Sequence, residues 1–356
     1  MAYSTISKPS LYFNTKLYTG NGTAIGSGGQ AITGVGFQPD WVWIKERSST
    51  SPHKLLDAVR GVTKELESNL TNAESTQAES LASFNSDGFT VGSNGAVNEN
   101  SQTYASWNWK ANGAGSANTD GSINSTVSAN TTAGFSIVKY TGAGGNGTGT
   151  TSTVGHGLGA KPKMIIVKSL SNAWKWVVYH EDVTPNNSHL QLNETAAVAT
   201  SSYNFWNTSG HTTTTFGLGE QTDSNGNGVD FIAYCFAEKK GYSKFGTYKG
   251  NGNNDGTFVY TGFKPAWIMT KMSSGVQTWN IFDNRRNGYN PTERNLQANL
   301  SNAEDTGRDL DILSNGFKQR NGGAEGNGNS STYIYMAFAE EPLVANVGQS
   351  IPATAR

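Results

Sequence analysis

The sequence predicts an all-β chain of three tandem β-sandwich (jelly-roll-like) repeat modules, and three observations lead there. First, phrases recur in order. Gly36-Phe37-Gln38-Pro39-Asp40-Trp41-Val42-Trp43-Ile44-Lys45 returns as Gly262-Phe263-Lys264-Pro265-Ala266-Trp267-Ile268-Met269-Thr270-Lys271. Asn69-Leu70-Thr71-Asn72-Ala73-Glu74 returns as Asn299-Leu300-Ser301-Asn302-Ala303-Glu304, and Phe84-Asn85-Ser86-Asp87-Gly88-Phe89 as Leu313-Ser314-Asn315-Gly316-Phe317. Between them a weaker copy, Gly159-Ala160-Lys161-Pro162-Lys163-Met164-Ile165-Ile166-Val167-Lys168, keeps the proline, the strand and the lysine. The period is roughly 100–120 residues, that of a small domain rather than a solenoid unit. Second, only 15% of the chain is charged, while 43 Gly accompany 9 Trp, 14 Tyr and 15 Phe. A disordered chain lacks such aromatics, and a turn-rich, uncharged, aromatic chain suits many short strands. Third, the apolar runs are short and bounded by Gly, Asn and Pro, as strands are.

The elements follow in order. Residues 1–15 form an arm ahead of the first repeat, made apolar by Tyr3, Ile6, Leu11, Tyr12 and Phe13. An arm this apolar is expected to be an attachment element that packs on another subunit or an underlying protein; the alternative is that it folds back onto its own first repeat. Repeat one, 16–110, opens with Leu17-Tyr18-Thr19 running into Gly20-Asn21-Gly22, a strand and a turn, and closes with Tyr104-Ala105-Ser106-Trp107-Asn108-Trp109. Residues 111–133 are mostly Ala, Gly, Ser, Asn and Thr, with a single charge, Asp120, and no aromatic, and read as a linker of extended or loosely ordered chain. Repeat two spans 134–241, repeat three 242–341, and 342–356 form a C-terminal tail. The strand after the proline is apolar in every copy, and Pro at a strand entrance is where its missing N–H is tolerated. Trp41, Trp43 and Trp267 on that strand are expected in the core, with one of Trp41 and Trp43 facing inward and the other a second layer or a partner.

Net charge is −1 and the longest basic runs are the pairs Lys239-Lys240 and Arg285-Arg286, too little for binding nucleic acid through its phosphates. No run approaches the ~20 apolar residues of a membrane span, so membrane insertion is not expected. The opening residues lack the apolar stretch of a secretory signal. The lone Cys235 sits in an apolar strand and reads as a core side chain. The Gly-rich loop from Gly142 to Thr153 lacks the Gly-Lys-Ser/Thr ending of a phosphate loop. Asp223 to Gly228 imitates the first half of a calcium loop, but Tyr234 stands where the bidentate acid belongs, and Asn-Gly turn chemistry explains the run. No histidine pair stands at metal spacing, so no metal, cofactor or catalytic residue is expected. Asp57 with Arg60, and Asp283 with Arg285, recur as acid–base pairs and read as structural ion pairs at a corner of the repeat. Aromatics outside the repeat pattern, Tyr203, Phe205, Trp206 and Tyr289, are the candidates for stacking on a glycan.

Taken together, Tyr-Thr-Gly-Asn-Gly, the Gly-Phe-x-Pro-x-Trp phrase, Asp57-Ala58-Val59-Arg60-Gly61, the Asn-Leu-Thr-Asn-Ala-Glu phrase and Trp107-Asn108-Trp109-Lys110-Ala111 resemble a family of structural proteins of tailed bacteriophages, abundant in marine phages. The likeness spans nearly the whole chain. It implies a non-enzymatic virion component on the outer particle surface, as head decoration, head fibre or tail-fibre appendage, assembled in the host cytoplasm. It also implies a homotrimer bound to other virion proteins and possible contact with a host surface glycan. A carbohydrate-binding receptor adhesin is the alternative, and a polysaccharide depolymerase the third reading. Repeat two departs from the pattern: His180 replaces the corner Asp, and the Asn-Ala-Glu phrase decays to Asn193-Glu194-Thr195-Ala196.

Overall fold

The computed structural model describes residues 4–343, and they form a mostly β structure of several antiparallel sheets. Each repeat contributes a large sheet with a common strand order. An opening strand (Phe13–Thr19, Phe135–Thr141, Ser243–Lys249) pairs with a closing strand (Thr103–Trp109, Asp230–Phe236, Thr332–Pro342). The closing strand pairs with the post-proline strand (Trp41–Glu46, Met164–Ser169, Phe263–Met272), and that with a corner strand (Lys54–Asp57, Val177–His180, Trp279–Asp283). Pro265 sits at a register shift in its strand, where its missing N–H does no harm. Each repeat also has a small sheet: Gln30–Thr33 with Gly88–Val91 and Leu81–Asn85, Ser152–Gly155 with Thr215–Leu218, and Phe258–Tyr260 with Gly316–Gln319 and Leu310–Leu313.

Strand alternation explains why the post-proline strands are apolar throughout. One face of each large sheet packs on its own small sheet: Val42 and Ile44 with Ile32 and Phe89, Ile165 and Val167 with Val154 and Phe216, Ile268 and Phe282 with Val259 and Phe317. The other faces all meet in one shared core. Trp41, Trp43, Trp107 and Trp109 from repeat one, Met164, Ile166, Tyr234 and Phe236 from repeat two, and Trp267, Met269, Met336 and Phe338 from repeat three lie in it. A strand buried on both faces needs apolar side chains at every position.

Three expectations are corrected here. Trp41 and Trp43 do not face opposite ways: two residues apart on a strand means the same face, and both enter the shared core. Residues 111–133 are not loose, because Ser116–Asn118 and Ser125–Asn130 extend the large sheet of repeat two and Ile123 and Val127 enter its core. Backbone pairing needs no bulky side chains, so composition hid these strands. The arm folds back. Ile6 and Phe13 are buried in the shared core, the Phe13 ring stacks on Phe338 at 5.3 Å, and Thr5 N–H donates to the Lys240 carbonyl at 3.0 Å. Tyr12 packs edge-on against Tyr242, Leu11 is exposed, and Tyr3 lies outside the described residues.

Candidate functional site

The seams between repeats carry the densest polar chemistry, and equivalent bonds recur at each seam round a ring of three. His53, Trp176 and Trp279 occupy one position, four residues before the corner Asp57, His180 and Asp283. The His53 Nε2 lies 2.9 Å from the Gln297 carbonyl of repeat three. Trp176 Nε1 donates to the Glu67 carbonyl of repeat one at 2.9 Å, and Trp279 Nε1 to the Gln191 carbonyl of repeat two at 2.8 Å. A second ring joins backbones: Glu304 N–H to the Arg47 carbonyl at 2.8 Å, Glu74 N–H to that of Leu170 at 3.0 Å, and Val198 N–H to that of Ser273 at 2.9 Å. Repeat one thus meets three, two meets one and three meets two, as in a closed cyclic trimer with heterologous interfaces.

A third ring is built at the corners and is broken in one place. Tyr234 of repeat two donates its hydroxyl to Asp57 of repeat one at 2.8 Å. Trp107 of repeat one donates Nε1 to Asp283 of repeat three at 3.0 Å. The equivalent of these donors in repeat three is Met336, which has no proton to give, and the corner position of repeat two that would accept holds His180 in place of an Asp. The corners of repeats one and three share their wiring. Arg60 Nε pairs with Asp57, and its Nη2 donates to the Leu55 carbonyl at 2.8 Å. Arg286 Nε pairs with Asp283 at 2.6 Å, and its Nη2 donates to the Ile281 carbonyl at 2.8 Å. Each arginine also reaches a glutamate, Glu74 at 3.4 Å and Glu304 at 3.3 Å.

The partner of Asp283 is therefore Arg286, not Arg285 as spacing indicated; Arg285 gives only its backbone N–H, at 2.9 Å. Three residues along from the acid, as at Asp57 and Arg60, is where the turn brings a guanidinium back. In repeat two the same positions hold His180, Val183 and Val198, so the change at His180 is matched by loss of the whole ionic set. Removing both partners of a buried ion pair together avoids stranding one charge.

Burial alone would raise the Asp283 carboxyl; Arg286 beside it outweighs burial and holds it below the usual carboxylate range. Glu304 behaves likewise, burial being overcome by Arg47, Arg286 and Arg294. The repeated lysines Lys45, Lys168 and Lys271 are buried, and each Nζ donates to the carbonyl of the next residue, at 2.5, 2.9 and 2.6 Å. Desolvation pushes all three down to about 8. Each closes the loop that follows its strand, a role the repeat phrase marked without explaining.

The run Asp223 to Gly228 holds structure. Asn225, with its equivalents Asn98 and Asn327, is fully buried, and its side chain clamps the loop opposite: Asn98 Oδ1 accepts Asn21 N–H at 2.8 Å, Asn225 Oδ1 accepts Ala143 N–H at 3.1 Å, and Asn327 Oδ1 accepts Asn251 N–H at 3.1 Å. Among the described residues no group of three or more His, Cys, Asp or Glu is placed to hold a metal ion. Cys235 is buried, and burial pushes its thiol up. Among the described residues no helix is long and apolar enough to cross a membrane.

The glycan candidates do not gather. Trp206 is fully buried and donates Nε1 to the Ser188 carbonyl at 3.0 Å, which leaves no ring face for a sugar, and Phe205 is buried with it. Tyr203 lies partly covered beside the Gly147 loop of repeat two, and Tyr289 is 75% exposed on repeat three.

The chain belongs to the family described as Domain of unknown function (DUF7483), whose model matches residues 8–342. That match takes in all three repeats with their seams. No curated protein and no solved structure matches the chain.

Proposed function

We propose that this chain is a non-enzymatic structural protein of a tailed-bacteriophage virion, exposed on the outer particle surface as a head decoration, head fibre or tail-fibre appendage. The repeat phrases and their resemblance to phage structural proteins carry the reading. One structural observation supports it: the large aromatic, ionic and amide groups tie three repeats into one body rather than converge on a cleft. The finer fold, three tandem jelly-roll-like sandwiches, belongs to the same proposal, as does a homotrimer of whole chains bound to other virion proteins. A ring of three is already closed within one chain, so such a trimer would form through the outer surface. A second reading, a carbohydrate-binding adhesin, is favoured by two exposed aromatics, Phe258 and Tyr260. Quantitative mass spectrometry of purified particles, with immunogold labelling, tests the first reading. A fixed stoichiometric copy number with gold on the head or tail is the expected result. Absence of the chain from purified particles would sink it.

A further inference from the structure

The repeats serve as internal controls for one another, and one face fails the comparison. On the small sheet of repeat one, Gln30–Thr33 buries Ile32 and turns Ala31 and Thr33 outward. Its neighbours on that face are Thr90, Ser83 and Asn85, small and uncharged, with Asn85 donating to Thr90 at 2.9 Å. In repeat two, Ser152–Gly155 has Thr153 and Gly155 there, and the preceding chain covers the edge, Ile123 N–H donating to the Thr153 carbonyl at 3.0 Å. In repeat three, Phe258–Tyr260 buries Val259 and turns outward Phe258, 44% exposed, and Tyr260, 57% exposed. The fold therefore holds with Ala, Thr or Gly at these two places. The aromatic pair answers no packing need that the other repeats share.

Repeat three has also gained charge around the pair. Lys318 lies opposite Phe258 in register, and Asp311 opposite Lys318. Lys318 Nζ contacts Asp255 at 2.6 Å, and Arg320 Nε contacts Asp311 at 2.9 Å. Beyond Tyr260 opens a cleft of about 210 Å³ reaching Thr261, Glu238 and Lys244, the last two paired at 3.0 Å. Gly262, at φ +81°, lies against the Tyr260 ring, its place for a Cβ 3.5 Å from the hydroxyl.

We propose that this outer face of repeat three is a saccharide-binding face for a neutral oligosaccharide. Phe258 and Tyr260 are alternate residues on one strand, so their rings stand about 7 Å apart on the same face. They present two stacking platforms in line, and the C–H face of a pyranose packs on an aromatic ring while its hydroxyls point outward. Asp255, Asp311 and Glu238 accept from those hydroxyls through lone pairs their ion pairs leave over, and Lys318, Arg320 and Lys244 donate to them. With Lys240, which also lines the cleft, four bases stand beside the three acids, and this near-balance favours an uncharged ligand over a strongly anionic one. The inference does not depend on where the protein resides, because binding is a property of the purified chain.

The test is a microarray of neutral and anionic bacterial-surface oligosaccharides probed with the purified full-length chain. Titration calorimetry with the best-bound neutral member follows. Replacing Phe258→Ala and Tyr260→Thr together installs the residues of repeat one. Both sites are exposed, so melting should hold while affinity falls about tenfold or more. Val276→Ala, at another exposed apolar residue of the same repeat, should bind as the parent does. No binding of any neutral oligosaccharide, binding confined to anionic members, or binding that survives the double substitution would each overturn the proposal.

Discussion

Removing Asp283 is the sharpest way to ask whether the corners hold the ring closed. Its carboxylate is fully buried and accepts from four donors: the backbone N–H groups of Arg285 and Arg286, each at 2.9 Å, Arg286 Nε at 2.6 Å and Trp107 Nε1 at 3.0 Å. The last donor belongs to another repeat. Asp283→Ala strands the Arg286 guanidinium, whose side chain is 0% exposed and which also lies over the Trp107 ring at 5.7 Å. Breaking a buried pair by deleting one partner costs about 3–5 kcal/mol. Arg286 keeps Glu304 and the Ile281 carbonyl, which places the loss toward the lower end. Deleting both should cost less than the sum of the two single losses, because the second deletion removes the charge that the first left uncompensated. Urea denaturation of the parent, Asp283→Ala, Arg286→Ala and the double variant gives the cycle, with a coupling of about 2 kcal/mol or more expected. A loss under about 1 kcal/mol for Asp283→Ala, or simple additivity, would refute the reasoning. Repeat two shows that the ionic set is replaceable as a set, since His180, Val183 and Val198 stand in it.

Three further outcomes are expected. Trp41→Ala should cost about 3–5 kcal/mol and lower the stability of all repeats in one transition, because Trp41 stacks on Tyr234 of repeat two at 4.3 Å; separate transitions, followed by near-UV dichroism and denaturant, would contradict a shared core. His180, His189 and His211 are all pushed down to about 4, by burial above all. Each then binds fewer protons folded than unfolded between about pH 4 and 6.5, so stability is lost as the pH drops through that window, by up to about 3 kcal/mol per group; imidazole NMR titrations showing values of 6 or above would remove this loss. Phe13→Ala, from the buried end of the arm, should destabilise by about 3–5 kcal/mol, whereas Leu11→Ala at an exposed site should stay within about 0.5 kcal/mol; equal melting shifts would reverse the placement of the arm.

Much of this was legible in the residues. The recurring Gly-Phe-x-Pro phrase marked the post-proline strands, the Asp57 corner phrase marked the ion pairs, and short apolar runs among Gly and Asn marked a β chain. All of these are local signals, set by backbone periodicity and turn chemistry within a few residues. The apolar run Trp41-Val42-Trp43-Ile44 also announced a strand covered on both sides. It could not say by what, because a second covering layer comes from residues a hundred or more positions away. Only the tertiary structure decided that the second faces of all three large sheets cover one another. With that came the cyclic order of the seam bonds, Arg286 rather than Arg285 at the corner, and Ile6 and Phe13 inside the chain's own core. The strands hidden in 111–133 belong to the same class, for pairing through backbone groups leaves little mark on side-chain pattern. The exposure of Phe258 and Tyr260 does as well: an aromatic in a β pattern reads as core until the sheet shows which way its face turns.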